Sequence, residues 1–342
     1  MRIRPVTMAD HADVLALAEA AGFGMTSLPA DAEVLEAKIQ ASLDSFAQTP
    51  ARKGKESFLF VLEDPADGHV VGTAGIKAHV GLNQPFYSYR VTTITQQSRE
   101  LDLFSKHTLL TVTNDLTECS EIGSLFLNPQ YRRDRLGRLL SLSRFLFIAG
   151  FRDYFDEQVI AELRGVHDPE GNAPFYDSIA KHFFEMDFAT ADYTNATRGN
   201  QFINDLMPRY PIYVSLLPKA ARDVIAQPHP SSVPAKAMLE AEGFRWQGYI
   251  DVFDGGPTLQ AITRDVQSVR ASQSAEIAAI ADDIPSAKAI MSNDRFNDFR
   301  ACSSRLQRHD DGRVSITSRG AAMLQIGVGD RLRYIAHDNE PR

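Results

Sequence analysis

The 342-residue sequence predicts an α+β fold, in which a mixed central sheet is flanked by helices and followed by an extra, mostly β C-terminal subdomain. Three observations predict it. Strand-like and helix-like segments alternate along residues 1–265. A buried strand, a basic turn and a long apolar helix follow one another between Ser120 and Phe151. From about residue 285, only short strand-like runs separated by Gly and Asp turns occur.

Composition restricts the class of protein. The chain is 44% hydrophobic and 23% charged with a net charge of −8, which disfavours nucleic-acid binding and a membrane-surface role. Its two cysteines, Cys119 and Cys302, lie far apart, and no secretory leader pattern or apolar run of about eighteen residues occurs. We therefore expect a cytoplasmic protein with no disulfide scaffold, metal site or membrane contact.

The first segments predict two helices after a short strand. The strand ends at Val6, where Thr7 can cap a helix that Gly22 ends. A loop over Gly24–Pro29 then leads to an amphipathic helix over Asp31–Phe46.

Strands dominate the next part of the chain. An Asp-Pro-Ala-Asp-Gly turn predicts that Ser57–Glu63 and Val70–Val80 pair as an antiparallel hairpin. Residues 81–119 hold further strand-like runs and predict an insertion, either an elaborated hairpin or a lid.

The segments after the central helix predict a further set of elements and an extension over residues 190–260. The segment from Phe184 to about residue 210 is rich in Asp, Asn and Thr and is expected to be irregular. The other segments predict, in order, a strand over Gln158–Val166, a helix over Asn172–Phe184, a strand over Pro211–Leu217, a short helix over Ala220–Ala226, a helix over Pro234–Glu242 and a strand over Phe244–Phe253.

The stretch from Ser120 to Phe151 predicts an anion site. A strand over Ile122–Leu127 is followed by a turn with four arginines and then by a helix that begins near Gly137 and is apolar on most sides. The N-terminus of a helix exposes unpaired N–H groups and the positive end of the helix dipole, so such a turn can hold a phosphate. A solvated basic turn is the alternative.

The order of these elements resembles the GNAT acyltransferase fold. In that family the central strand lies along the pantetheine of an acyl-CoA, and a turn with a basic residue and two glycines receives the pyrophosphate. The matching positions here are Arg132, Arg135 and Gly137, with Arg135 standing where the first glycine is usual. The resemblance implies a GNAT-like domain over residues 1–265, and the short strand-like runs after it predict a small β-rich subdomain over residues 285–342.

Longer strings of residues resemble the arginine N-succinyltransferase family almost from end to end. They include Gly24–Pro29, Phe60–Asp64, Val80–Asn83, Arg164–Val166, Glu242–Arg245 and Tyr249–Leu259. The resemblance implies transfer of succinyl from succinyl-CoA, a co-substrate, to the α-amino group of L-arginine, the first step of arginine degradation by this route. It further implies that Leu125 contacts the acyl-CoA and that His229 donates a proton.

His229 is the histidine whose sequence context best suits acid–base chemistry. An unperturbed imidazole pKa of about 6.5 allows proton transfer in either direction near neutral pH. Pro228 and Pro230 stiffen its loop. A loop histidine is otherwise more often simply packed or exposed, and the family resemblance is what selects His229 as the acid for the CoA sulfur.

Three further groups of residues complete the predicted site. The first is expected to bind the acyl donor and comprises Leu125, Phe126, Leu127, Arg132, Arg135, Gly137 and Arg138, with Arg133 expected in solvent. Acids for the guanidinium of the substrate could come from Glu121, Asp251, Asp115, Glu118 or Asp254. The third group, expected to bind a carboxylate, is Arg90 or Arg164.

Two alternatives stay open at this point. The acceptor could be ornithine or another basic amino acid, because no spacing rule identifies the residues of its side-chain pocket. The chain could also be a non-catalytic acyl-CoA-binding subunit of a hetero-oligomer. We expect a homo-oligomer or a hetero-oligomer with a homologous subunit.

Overall fold

The computed structural model describes residues 1–22, 24–47, 54–168, 170–285 and 288–336, and within them the strands form one mixed sheet. The described strands are β1 (Arg2–Pro5), β2 (Ser57–Glu63), β3 (Val70–Lys77), β4 (Ser88–Ser98), β5 (Leu103–Thr113), β6 (Ser120–Leu127), β7 (Gln158–Glu162), β8 (Ile212–Tyr213), β9 (Arg245–Asp251), β10 (Pro257–Ile262), β11 (Gln273–Ile280), β12 (Lys288–Asn293), β13 (Ala301–Arg308), β14 (Val314–Ile316) and β15 (Arg331–Ala336).

The helices flank this sheet, as expected for an α+β protein. Those described are α1 (His11–Ala21), α2 (Ala32–Ala47), α3 (Leu136–Gly150), α4 (Pro174–Ser178), α5 (Lys181–Phe184), α6 (Phe188–Arg198), α7 (Gln201–Leu206), α8 (Lys219–Val224), α9 (Val233–Ala241), α10 (Gln267–Ala271) and α11 (Ser318–Leu324).

The order of strands places β6 in the middle of the sheet. The order is β12-β15-β11-β14-β13-β1-β2-β3-β6-β7-β10-β9-β4-β5-β8. The predicted antiparallel hairpin of β2 and β3 is confirmed, and the insertion over residues 81–119 forms the hairpin of β4 and β5, paired along eleven positions. Strand β6 is antiparallel to β3 and parallel to β7, so the sheet is mixed.

Helix α3 is buried on most sides, as its closely spaced apolar residues predict. Its Phe147 packs against Phe58 and Phe60 of β2, with ring centroids 5.0 and 5.1 Å away, and against Phe299 at 5.1 Å. The helix therefore lies between the N-terminal strands and the C-terminal segment. This packing fixes the position of the turn that connects β6 to α3.

The expectation of an irregular segment before residue 210 was wrong, because α6 and α7 form there. Asp187 caps α6 by accepting a hydrogen bond from the Thr190 backbone N–H at 2.7 Å, and Phe188 and Ala191 are buried. Asp, Asn and Thr have low helix propensity, and here the cap and the buried face outweigh it.

Two further expectations need correction. The predicted helix over Asn172–Phe184 is two short helices, because Ile179 leaves the helical region with φ −130° and ψ −78°. The predicted strand over Pro211–Leu217 is limited to β8, after which Val214–Leu216 forms a helical turn.

The predicted division of the chain stays a prediction. Strand β13 pairs with β1 at Ile3 and Ala301, so the C-terminal strands continue the sheet. Residues 286–287 and 337–342 of the expected subdomain over 285–342 lie outside the described residues.

Candidate active site

A cavity of about 440 Å³ lies where β6 and β7 separate. The two strands pair only at Ser120 with Val159 and at Glu121 with Ile160. Beyond these pairs, residues of both strands line the cavity, among them the predicted donor contacts Leu125, Phe126 and Leu127. A gap between parallel strands leaves backbone hydrogen-bonding groups available to an extended ligand.

A bulge at Leu125 shapes the β6 wall of the cavity. On β3 the register passes from Thr73 opposite Phe126 to Gly75 opposite Gly123, so Leu125 has no register partner among the described strands. Ser124 adopts a left-handed conformation with φ 47°, which is unusual for a residue with a side chain. The conformation of Ser124 is therefore strained, and surrounding contacts must stabilise it.

Ser27 and Lys38 supply that support. The Ser124 backbone N–H donates to Ser27 Oγ at 3.0 Å, and Ser124 Oγ donates to the Ser27 carbonyl at 2.8 Å. Lys38 Nζ donates to the Ser27 carbonyl and, at 3.0 Å, to Ser124 Oγ. Burial of the ammonium group, followed by repulsion from Lys77, lowers the pKa of Lys38 to about 7.

The basic turn leads from β6 into α3. Arg132 lines the cavity and donates from Nε to the Leu127 carbonyl at 3.2 Å. Arg135, at the position where a glycine was expected, has φ 59° and is the residue before α3. A left-handed conformation costs a residue with a side chain about 1 kcal/mol, which glycine avoids. Arg135 thus adopts the left-handed backbone conformation that a glycine would adopt at this position.

His229 lies at the cavity and is held from both sides. Its backbone N–H donates to the Arg164 carbonyl at 2.7 Å, and its ring stacks on that of His167 with centroids 4.7 Å apart. Nδ1 lies 3.2 Å from the Ser231 backbone nitrogen and 2.7 Å from Ser231 Oγ, which leaves Nε2 for a ligand. Burial, then His167 and Arg164, lower the pKa of His229, so its neutral form is favoured at pH 7.

Carboxyl groups crowd the part of the cavity formed by β7 and β9. Burial, with the charge of Asp251 as the next cause, raises the pKa of Glu162. Burial and the charge of Asp254 raise the pKa of Asp251 to about 8. Carboxyl groups that repel one another are stabilised in their ionised form by a cation. This part of the cavity can therefore accept a positively charged group.

The acids of the cavity also have partners within the protein, since Asp251 Oδ1 accepts from the backbone N–H groups of Phe253 at 2.7 Å and Asp254 at 2.9 Å. Asp254 accepts from the backbone N–H groups of Gly165 at 2.6 Å and Gly256 at 2.8 Å. Glu121 lies 2.8 Å from Lys77 Nζ. Asp192 accepts from the Thr26 hydroxyl at 2.5 Å. These contacts shape the cavity wall.

Comparison with known proteins identifies the family. Residues 1–268 match the model of the arginine N-succinyltransferase beta subunit, and residues 273–336 match the model of its C-terminal domain. The chain belongs to the arginine N-succinyltransferase family. Family members named arginine N-succinyltransferase from Yersinia enterocolitica and Escherichia coli are 43% and 41% identical to it, each over 98% of this chain and 97% of the relative.

A solved structure of an arginine/ornithine succinyltransferase subunit AI from Pseudomonas aeruginosa is also similar. It is 34% identical, covers 99% of both chains and superimposes with a TM-score of 0.90. The structural similarity thus extends over residues 1–268 and over the C-terminal residues 273–336 of this arginine N-succinyltransferase family member.

The cavity brings together some of the residues predicted from the sequence. Arg135, Gly137 and Arg138 lie in or just before α3, outside the cavity lining. Arg90 also lies outside it, over the Tyr249 ring at 4.3 Å, and donates to the Gln247 carbonyl. The predicted residues that line the cavity are Glu121, Leu125, Phe126, Leu127, Arg132, Arg164, His229, Asp251 and Asp254.

Four residues at or beside the cavity were not predicted from the sequence as site residues. Glu162 ends a buried strand, and Lys38, Arg144 and Asp192 lie in helices. Only Arg144 carried a local signal, as a charge inside an apolar helix.

The described residues contain neither a candidate metal site nor a candidate membrane-spanning helix. No group of three or more His, Cys, Asp or Glu side chains in those residues is arranged to hold a metal ion. None of the described helices combines the length and the apolar character that crossing a membrane requires.

Proposed function

We propose that the protein transfers the succinyl group of succinyl-CoA to the α-amino group of L-arginine, producing N2-succinyl-L-arginine and CoA. The observation that carries the proposal is one cavity that joins the β6–β7 gap, His229 and a group of carboxyls in a chain of this family. The reaction would be the first step of arginine degradation through succinylated intermediates.

The acyl donor is proposed to bind as in GNAT acyltransferases. Its pantetheine lies along Leu125–Leu127, where β6 has no partner strand beyond Glu121 on the β7 side. Its pyrophosphate lies at the N-terminus of α3, near Arg132, Arg135, Gly137 and Arg138, where backbone N–H groups and arginines favour an anion.

The acceptor is proposed to bind on the acidic side of the cavity. Glu162 and Asp251 hold the guanidinium of arginine, which relieves their mutual repulsion. Arg164, which lines the same cavity, is available for the α-carboxylate. The α-amino group is then left to face the thioester.

His229 carries the proton in this proposal. The α-amino nitrogen attacks the thioester carbonyl carbon, a C–N bond forms and the C–S bond breaks. With its ring proton on Nδ1, neutral His229 takes the proton that the nitrogen loses at its free Nε2 and returns it from Nε2 to the departing CoA sulfur. While it is protonated, its Nδ1–H can donate to Ser231 Oγ, which lies 2.7 Å away.

Release of thiol from succinyl-CoA, measured with and without arginine, tests the function. His229→Ala is expected to lower kcat about 10²- to 10⁴-fold with little effect on folding or on binding of succinyl-CoA. His182→Ala, an exposed histidine outside the cavity lining, is the control. Wild-type turnover by His229→Ala would exclude the assignment of the proton carrier.

Ornithine is a second candidate acceptor, because the structural relative is named an arginine/ornithine succinyltransferase subunit. The ratio of kcat/KM for arginine and ornithine, measured on one preparation, decides between them. Release of thiol only after a homologous subunit is added would favour a non-catalytic binding subunit.

The same relative's name motivates the proposal of an oligomer, either of identical chains or with a homologous subunit. Sedimentation of the purified protein tests this.

The free, buried thiols of Cys119 and Cys302 are in keeping with a reducing, cytoplasmic location.

A further inference from the structure

Arg144 is a buried cation on the wall of the cavity. It lies in the middle of α3, is 2% exposed, and lines the cavity together with Leu125, Ala235 and Leu239. Three apolar residues near it on the helix, Leu140, Phe145 and Ile148, are fully buried. A charged residue in such a position needs a physical reason.

The hydrogen bonds of Arg144 leave its charge uncompensated. Nε donates to the Ser141 carbonyl at 3.1 Å and Nη2 donates to Ser141 Oγ at 2.9 Å, and both acceptors are neutral. Among the described residues, no carboxylate forms an ion pair with Arg144. Burial alone lowers its pKa to about 9, so the guanidinium is still mostly charged at pH 7.

Two other arginines of the chain, Arg4 and Arg164, do have acids near them. Arg4 forms a two-pronged pair with Asp10 at 2.7 and 2.8 Å. The charges of Asp254 and Asp192 act on Arg164. An isolated charge is costly to bury, and an apolar residue of the same size would stabilise this site better. Arg144 is therefore poorly explained by folding alone.

Helix α3 packs near the strand β6, and the position of Arg144 along the helix places it beside the cavity. Leu140 and Leu127 approach the same point, since a methyl group added to Gly72 would lie 3.1 Å from both side chains. Arg144 is one turn further, about 6 Å along the helix axis, and Leu125 is about the same distance back along β6. Arg144 thus lines the same cavity as Ser124 and Leu125 of the bulge, about 12 Å from the start of α3.

We propose that Arg144 is an anion receptor that binds negatively charged oxygen atoms of the acyl donor. The inference rests on the proposed function, which supplies a donor with two kinds of anionic group, the carboxylate of the succinyl group and the phosphates of CoA. A planar guanidinium can donate two parallel hydrogen bonds to either group. The bound anion then balances the positive charge of Arg144, which no carboxylate of the described residues balances.

Isothermal titration of four ligands to wild-type protein and to Arg144→Met separates the two anions. The ligands are succinyl-CoA, acetyl-CoA, CoA and S-succinyl-pantetheine, which has the carboxylate and no phosphate. Arg264→Met, an exposed arginine outside the cavity lining, is the matched control. Arg144→Gln replaces Arg144→Met if the latter does not fold.

Loss of a charge-assisted contact is expected to raise Kd about 10- to 100-fold. If the partner is the carboxylate, affinity falls for succinyl-CoA and S-succinyl-pantetheine and is unchanged for acetyl-CoA and CoA. If the partner is a phosphate, affinity falls for the three CoA ligands and is unchanged for S-succinyl-pantetheine. Unchanged affinity for all four ligands, or an equal loss for all four, overturns the proposal.

The Tm of Arg144→Met, measured without ligand, separates a role in ligand binding from a role in folding. Removal of an uncompensated buried charge is expected to leave Tm unchanged or to raise it, whereas loss of a structural contact lowers it. A lower Tm together with unchanged Kd values would show that Arg144 serves folding. Wild-type protein that binds succinyl-CoA but releases no thiol when arginine or ornithine is present would refute the proposed function, and the four-ligand titration would still decide the role of Arg144.

Discussion

At the scale of single residues, the acid–base behaviour of the cavity depends on two stacked histidine rings. His229 has its neutral form favoured by burial and then by the nearby side chains of His167 and Arg164, which all lower its pKa. A neutral imidazole can accept a proton from the amine, so kcat/KM should fall as the pH drops through the pKa of His229.

Replacement of His167 by Phe tests this link. The substitution keeps a stacked ring and removes a group that lowers the pKa of His229, so that pKa should rise toward about 6.5. The acidic limb of the kcat/KM profile should therefore move to higher pH. His182→Phe, at an exposed histidine, should leave the limb in place. A limb that moves to lower pH in His167→Phe contradicts the assignment.

At the scale of elements, the bulge of β6 is held by the loop before α2 and by α2 itself. Ser27 contributes two of the hydrogen bonds that hold Ser124, and Lys38 contributes another. The bulge belongs to the wall that is proposed to bind pantetheine. Its geometry should therefore matter more for turnover than for folding.

Ser27→Ala tests the role of the loop. It removes the acceptor of the Ser124 N–H, and a displaced bulge should lower kcat/KM for succinyl-CoA about 10- to 100-fold. We expect a loss of unfolding free energy of only about 1 kcal/mol. Ser303→Ala, at an exposed position of β13, should change neither quantity. A large loss of stability with unchanged kcat/KM would contradict a role in positioning.

Lys38→Met tests the buried ammonium group through the pH dependence of stability. The folded-state pKa of about 7 lies below the unfolded value of 10.5, so the unfolded state binds more protons between these values. The contribution of Lys38 to stability is thus lost as the pH falls from about 10.5 to about 7. Urea unfolding should show wild-type stability rising with pH relative to Lys38→Met, by about 1 kcal/mol per pH unit in this range. A difference independent of pH would show that the ammonium is not buried as described.

At the scale of the whole molecule, the C-terminal segment shares a core with the N-terminal sheet. Phe299 lies 5.5 Å from Phe60 and 5.1 Å from Phe147, ring centroid to ring centroid, and is 1% exposed. Phe296 stacks on Tyr154 at 4.5 Å. These contacts hold α3, and with it the basic turn before α3, between the two parts of the chain.

Phe299→Ala is expected to destabilise the protein by about 3–5 kcal/mol, because it leaves a cavity in this shared core. Unfolding, followed by calorimetry, should keep a single transition at lower temperature. Phe183→Ala, at a phenylalanine that is 41% exposed, should cost much less. Two separate transitions in Phe299→Ala would show that the parts of the chain unfold independently.

Much of the fold and part of the site could be predicted from local patterns. Periodicity and turn residues were sufficient for the hairpin of β2 and β3 and for the buried helix α3. The same patterns failed at α6, where one cap and two buried side chains outweigh a polar composition. Resemblance to the family pointed to Leu125 and His229, whose proposed roles remain to be tested.

By itself, the sequence determined the α+β class, the order of most elements and a strand, basic turn and helix suited to an anion. Only the tertiary structure decided that β7 leaves β6 after Glu121, and that Glu162 and Asp251 crowd together. It alone left Arg144 without an acid partner among the described residues. The reason is physical: hydrogen-bonding periodicity is local in the chain, whereas burial and charge pairing depend on groups that are distant in sequence.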